Sequence, residues 1–337
     1  LNRFLAERIT FCSSALVKLL PFMSKSKISS SSSERPIKFG LSDSFLRSSI
    51  VFEIFVTFAT GTYSMAPAEV FATTSFKPTL PRFGMMIPSA PAQFAVLQPN
   101  IDPYNKFQAM SQDQQDAILE GQIRESLKSR MNDSTAAPLL IVAPETFTGG
   151  MINGHYERSR TWNRFTSMLE DYPNVNMLFG ASTYDYITDN EKPSHTARKF
   201  DGGWLESRNS ALMTDGSRRT DVFHKSKLVV AVEKTPYPAL FCKIDDMLGG
   251  VMGRCIGQDE ISLLDVRYTG PSGYMESIPV GCAVCYESVY GEYYTDYIRK
   301  GAKAMTIITN DAWWGDTPGY RQHLSYASLR AIETRRA

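Results

Sequence analysis

An acid, an amine and a thiol stand at the ends of three apolar runs in this chain of 337 residues. Glu145 follows the run 138–143 (PLLIVA), in Ala143-Pro144-Glu145-Thr146. Lys225 comes late in the run 220–230, in Phe223-His224-Lys225-Ser226-Lys227-Leu228, and Cys285 ends the run 278–284, ahead of Tyr286-Glu287. Together these groups can perform nucleophilic acyl chemistry. The thiol attacks a carbonyl and the carboxylate takes its proton, while the ammonium favours the thiolate and can also stabilise the resulting oxyanion. Singly, each has a plainer reading as a solvated loop acid, a surface lysine or a small buried hydrophobe. If 220–230 is one strand, Lys227 shares the facing of Lys225, so spacing alone leaves two amines open.

Alternating strands and helices are expected to position these groups. Residues 94–97 read as a short strand entering the turn Gln98-Pro99-Asn100-Ile101-Asp102-Pro103. Residues 112–131 have helical spacing, with Ile118, Ile123 and Leu127 set against Asp113, Asp116, Glu120, Arg124, Glu125 and Lys128. The run 138–143 is continuously apolar, as in a strand covered on both faces. A helix is expected over 156–170 and a strand over 176–187. Residues 210–213, the turn Thr214-Asp215-Gly216-Ser217 and residues 220–230 read as a hairpin. A buried strand over 278–284, a helix over 293–300 stopped by Gly301, a strand over 305–309 and a long helix over 320–336 complete the pattern. This order predicts an α/β sandwich with a mixed sheet, whose strand ends converge on a crevice.

Composition narrows the function. Lys and Arg number 36 against 35 Asp and Glu, a net charge of +1, which argues against a nucleic-acid binder that works by neutralising phosphates. Hydrophobic residues make up 43% and charged residues 21%, enough apolar mass for a real core. Five cysteines are no disulfide framework. Cys282 and Cys285 form a C-x-x-C that Cys242 and Cys255 could complete as a zinc set, but the latter pair lie thirteen apart and the former lie along a strand, so no metal is expected. Residues 1–92 are expected to be largely irregular: 24–35 (SKSKISSSSSER) is low-complexity, and Pro67, Pro78, Pro81, Pro88 and Pro91 punctuate a stretch without any sustained period. The apolar stretches 9–23 and 50–59 are short and carry Lys18 and Glu53, so neither is expected to span a bilayer.

Glu145, Lys225 and Cys285 match, in order and context, the Glu-Lys-Cys triad of the nitrilase, or carbon-nitrogen hydrolase, superfamily. Further stretches resemble its apolipoprotein N-acyltransferase family, in a version similar to the Bacteroidetes branch. They are Gln98-Pro99-Asn100-Ile101-Asp102, Pro144-Glu145-Thr146, His224-Lys225-Ser226-Lys227-Leu228-Val229 with Glu233 eight residues after the lysine, Cys285-Tyr286-Glu287, and Asn310-Asp311-Ala312-Trp313-Trp314-Gly315 with Gln322-His323. Soluble amidases of the superfamily typically have Cys-Tyr-Asp instead. The resemblance covers residues 94–337. It departs at Val230 and Ala231, where many relatives have Pro or Gly, and at Ala312, where Gly is common. Family members carry membrane helices before this domain, and strands and a membrane helix after it, so the chain reads as a fragment.

The resemblance implies an αββα nitrilase-like sandwich over 93–337, incomplete at its C-terminal end. It implies Glu145, Lys225 and Cys285 as catalytic residues, and it selects Lys225 over Lys227. Glu233 and Glu287 match the family's additional acids, a salt-bridged structural role being the alternative for both. Tyr286, Trp313 and Trp314 stand as supporting residues, either core aromatics or a lipid-facing entrance, and His323 as a hydrogen-bonded structural residue. The implied reaction moves a fatty acyl chain from a phospholipid, through a Cys285 thioester, to the amine of a diacylglyceryl-cysteine apolipoprotein. It needs no cofactor, and its implied setting is a bacterial inner membrane with the domain facing the periplasm. The alternatives are a soluble carbon-nitrogen hydrolase using the same triad on small amides, and an inactive product that binds lipid or a partner.

Overall fold

A computed structural model describes residues 92–128, 130, 137–188, 193–247 and 252–336, with two short strands, β1 (Ile54–Phe55) and β2 (Thr73–Ser75). The larger sheet grows around β4 (Leu139–Val142), whose four residues are all buried. β4 pairs in parallel with β3 (Gln93–Val96) on one side and with β6 (Val175–Ile187) on the other. β6 then pairs antiparallel along its length with β8 (Gly203–Asp215), which carries β9 (Thr220–His224) and β7 (Arg198–Phe200). β5 (Thr148–Ile152) adds to β6 and β2 to β3, making eight strands. The second sheet, in the order β1-β12-β11-β10, contains β10 (Leu264–Thr269), β11 (Met275–Val284) and β12 (Ala304–Ile308), with β11 and β12 parallel.

Alternation along β4 explains the layering, because successive side chains leave a strand on opposite faces. Leu139 and Ile141 join Leu119, Ile123 and Leu127 of α2 (Gln112–Lys128) and Trp162, Phe165 and Leu169 of α3 (Arg160–Leu169) in one core. Leu140 and Val142 face the second sheet and pack with Val266, Val280, Val284 and Ile308. Tyr294 and Tyr297 of α5 (Gly291–Arg299) and Ala327 of α6 (Gly319–Thr334) belong to that second core. The result is the expected αββα sandwich. A short α1 (Pro103–Gln108), capped by the Asp102 carboxylate, leads out of β3, and α4 (Pro238–Met247) lies between β9 and β10.

Several expectations shift for identifiable reasons. On α2 the buried stripe runs through Leu119 rather than Ile118, which is exposed. Asp116, expected on the polar face, is buried instead, accepting Thr161 Oγ1 at 2.6 Å and Gln112 Nε2 at 2.7 Å and so bracing α2 against α3. The helix expected over 156–170 is broken by Ser159, whose side chain caps α3 at Trp162 N, leaving a 3-10 turn at Tyr156–Arg158. β9 ends at His224, short of the expected 230. The N–H groups of Ser226 and Lys227 are taken by the Glu287 carboxylate at 2.7 and 3.0 Å, which draws the chain off the ladder. Most of residues 1–91, including the serine-rich stretch, lies outside the described residues. Among those described, no helix is long and apolar enough to cross a membrane.

Candidate active site

Glu145 stands in the turn just past β4. Pro144 O accepts Gly180 N at 2.9 Å, and Gly180 is the one residue of β6 that could sit there, since a Cβ would lie 2.5 Å from Glu145 Cα. Thr146 continues the turn at φ 46°, and its carbonyl accepts Lys106 Nζ from α1. Lys106 is buried, and that burial, against the pull of Glu145, lowers its pKa to about 7. The Glu145 carboxylate points into a set of donors. Oε1 accepts Asn209 Nδ2 at 2.8 Å and Lys225 Nζ at 3.3 Å, and Oε2 accepts Asn310 N at 3.2 Å.

Lys225 is essentially inaccessible to solvent, 1% exposed, and the position of its amine is set by two carboxylates. Its Nζ lies 3.0 Å from Glu233 as well as 3.3 Å from Glu145, and Asn209 Nδ2 also reaches Glu233 Oε1 at 2.8 Å. Glu233 is pinned by Val229 N at 2.8 Å. Two acids side by side, Glu145 buried and Glu233 half-buried, would repel each other. An ammonium and an amide between them remove that cost. Burial works against the charge of Lys225, but Glu145, Cys285 and Glu233 outweigh it and hold the ammonium well above its ordinary range. Lys227, by contrast, is exposed, with its ammonium 5.2 Å from the centre of the Tyr293 ring.

Cys285 sits at the junction of β11 with the 3-10 helix Cys285–Val289, at φ 54°. A left-handed residue with a Cβ costs about 1–2 kcal/mol, so neighbouring bonds must hold this elbow. Glu287 supplies some of them: it accepts Val284 N at 2.8 Å in addition to Ser226 N, Lys227 N and Tyr293 Oη, tying the elbow to the segment that carries Lys225. Burial first and Glu145 second push the Cys285 thiol far up, while Lys225 and a hydrogen bond with Thr309 pull the other way. Cys285 is therefore at rest a neutral thiol within the electrostatic reach of both Glu145 and Lys225. Chemically, a carboxylate must take the proton as the sulfur attacks, and the ammonium is placed to meet the negative charge that develops.

The aromatic candidates surround this centre on the outside. Tyr286, Trp313 and Trp314 are all exposed, with Trp313 edge-on to Tyr104 at 5.6 Å. His323 is buried, its Nδ1 2.8 Å from Asp311 and its Nε2 3.1 Å from Cys285 O. Sequence reasoning missed Asn209, which bridges both acids, Lys106 behind Thr146, and Thr309 and Asp311 beside the sulfur. Asn209 offered one signal, a carboxamide inside a strand-like run, but only the packed sheet tells that it is buried. Of the alternative cysteine set, Cys242 and Cys282 are buried and apart from any metal-like grouping. Among the described residues no three or more His, Cys, Asp or Glu side chains gather as a metal site.

The chain is similar in sequence to known proteins. The carbon-nitrogen hydrolase family model matches residues 94–336. The apolipoprotein N-acyltransferase of Chlorobaculum tepidum is 23% identical over 277 residues, covering 80% of this chain and 47% of that protein. That of Thermotoga maritima is 30% identical over 131 residues, covering 39% and 24%. Among solved structures, Nit3 of Saccharomyces cerevisiae, a member of branch 10 of the nitrilase superfamily, superposes with a TM-score of 0.37 at 15% identity, over 59% of this chain and 58% of that one. The chain spans about half the length of the first of these curated relatives, and less of the other. With a family match over most of its described residues and a Glu-Lys-Cys centre at the strand ends, this chain belongs to the carbon-nitrogen hydrolase family.

Proposed function

We propose that this domain transfers a fatty acyl chain from a phospholipid to the N-terminal amine of a diacylglyceryl-cysteine lipoprotein, with Glu145, Lys225 and Cys285 as its catalytic residues. The observation that carries the reading is the convergence of a neutral, half-buried thiol with a carboxylate and an ammonium, in a chain whose curated relatives are named apolipoprotein N-acyltransferases. Cys285 Sγ attacks the ester carbonyl while Glu145 takes its proton. The oxyanion faces Lys225 Nζ. Collapse expels the glycerol oxygen, which receives the proton from Glu145 and leaves as lysophospholipid, with the acyl group held as a thioester on Cys285. The lipoprotein amine then attacks the thioester and gives its proton to Glu145. The sulfur leaves and recovers that proton, and the amide product departs.

An apolar substrate is supported by the side chains that flank these residues in sequence. Tyr286 follows Cys285 and Trp313 and Trp314 follow Asp311, all three exposed, and Val230 and Val232 are exposed just ahead of Glu233. On α4, Leu240, Ile244 and Met247 form an exposed apolar stripe at helical spacing, while Asp245 turns inward to Arg254 at 2.5 Å. Exposed apolar side chains of this kind suit contact with lipid more than recognition of a small polar amide. The placement proposed with this function is the periplasmic face of a bacterial inner membrane.

The test is to supply phospholipid vesicles and a diacylglyceryl-cysteine peptide, and separately short aliphatic amides. Release of lysophospholipid with N-acylation of the peptide, both lost in Cys285→Ala, is the expected result. Ammonia release from the amides with no peptide acylation overturns the transferase reading in favour of a hydrolase.

A further inference from the structure

Behind the nucleophile lies a buried polar chain that the proposed reaction does not use. Asp311, in the 3-10 helix Asp311–Trp314, accepts His323 Nδ1 from α6 at 2.8 and 3.0 Å and Thr309 Oγ1 at 2.9 Å. The other ring nitrogen of His323, Nε2, lies 3.1 Å from Cys285 O and 2.9 Å from Ser288 Oγ, and Ser288 Oγ itself donates to Cys285 O at 3.0 Å. The Thr309 hydroxyl also hydrogen-bonds the Cys285 sulfur and pulls its pKa down, the sense of a donor that favours the thiolate. Its one proton therefore serves either Asp311 or the sulfur as negative charge develops there. Asp311 thus touches both partners of one residue: His323, which meets the backbone carbonyl, and Thr309, which meets the sulfur.

We infer that His323, Asp311 and Thr309 are positioning residues for Cys285, in which His323 paired with Asp311 holds the carbonyl of the left-handed elbow while Thr309 hydrogen-bonds the sulfur. The inference rests on the reading of Cys285 as the acyl-carrying nucleophile. Its logic is one of donors. A charged imidazole can donate to Asp311 and to Cys285 O together. A neutral imidazole that keeps its proton on Nδ1 presents a lone pair to that carbonyl, so the carbonyl loses its His323 donor and keeps only Ser288 Oγ. The groups facing His323 are Asp311 and, beyond it, Glu145. Burial opposes the charge, but the bonds to Asp311 and to the Cys285 carbonyl outweigh it and keep the pKa above 6.5. The clamp is therefore complete at and below pH 6.5 and is released as pH rises through the raised value.

The experiment follows the rate of acyl-adduct formation on full-length protein from phospholipid vesicles, by intact mass, for the wild type, His323→Gln, Thr309→Val and Thr309→Ser. Taking the ratio of wild type to His323→Gln cancels the ionisations of Glu145 and Cys285 that the two proteins share. That ratio is expected to be about tenfold or more at pH 6.5 and to fall towards one as pH rises. Thr309→Val is expected to lower the maximal rate at an unchanged half-saturating lipid concentration, with the rate restored in Thr309→Ser. A ratio that does not vary with pH, or a Thr309→Val protein that acylates as fast as wild type, overturns the inference. If His323→Gln does not fold, the Thr309 pair decides. If the wild type takes no acyl group, the proposed function fails by itself, and the same comparisons made on the rate of Cys285 alkylation by iodoacetamide support or overturn the positioning role.

Discussion

Lys225 and Lys227 occupy the same short stretch and differ almost completely in surroundings, which makes them a sharp test of the site. Lys225→Met removes the only ammonium placed between Glu145 and Glu233 among the described residues and leaves a buried and a half-buried carboxylate facing each other. The expected cost is about 3–5 kcal/mol of stability and a fall in acyl transfer of about 100- to 1,000-fold, measured by urea denaturation and initial rates. Lys227→Met loses one ring contact and is expected to cost less than about 1 kcal/mol. Glu145→Gln separates two roles of the acid. It abolishes transfer by removing the base. It also removes a negative neighbour that holds the thiol up, so alkylation of Cys285 shifts to lower pH, whereas in the wild type its rate keeps climbing beyond pH 9.0. Residue types and order singled out the three groups proposed to react, and only the family resemblance chose between the lysines. The strand reading could not choose, because β9 stops before either lysine, and what stops it is a carboxylate some sixty residues later in the chain.

At the scale of elements, the site is a problem of holding three strand ends in register. Gly180→Ala places a methyl group against the Glu145 turn with backbone on all sides, Glu145 Cα and Thr146 N at 2.5 Å and Pro144 O at 2.7 Å. It is expected to displace Glu145 and remove activity well before it unfolds the sheet, which a comparison of rate with melting temperature reads directly. Glu287→Gln tests the tie between the Lys225 segment and the Cys285 elbow. A carboxylate accepts from Val284, Ser226 and Lys227 at once, and an amide has one oxygen to offer. The expected loss is about 1.5–3 kcal/mol, with slower acylation, measured by denaturation and adduct kinetics. The elements with a clear period were readable in advance: β4 as an unbroken apolar run, β6, β12, and the helices α5 and α6. Those that failed were decided by partners from elsewhere in the chain. Asp116 looks like a solvent-facing residue until Thr161 of α3 is brought against it, and the choice of Leu119 over Ile118 depends on where β4 lies beneath α2. Short pieces such as β5, β7 and α1 have too few residues to establish any period.

For the whole molecule, the two sheets divide the labour. β4, with the turn after it, and the β8–β9 hairpin with the segment beyond it bring Glu145, Asn209 and Lys225 from the larger sheet. β11 and β12 of the smaller sheet present Cys285, Thr309 and Asn310 across the interface. Sandwich closure is thus the event that assembles the centre, and neither sheet alone holds it. The alternation of strands and helices predicted an α/β sandwich with a mixed sheet, and the αββα layering came from the family resemblance. The facing of the two sheets could not be read from that alternation, because it depends on which side of β4 each core grows. Centrally, the assembled centre is held to carry an acyl group on one sulfur. The most direct measurement is intact-protein mass spectrometry after incubation with phospholipid vesicles of a single acyl composition, without lipoprotein acceptor. The expected result is one added acyl mass on the wild type, mapped to Cys285, discharged by hydroxylamine and absent from Cys285→Ala. The same added mass persisting in Cys285→Ala would contradict the claim.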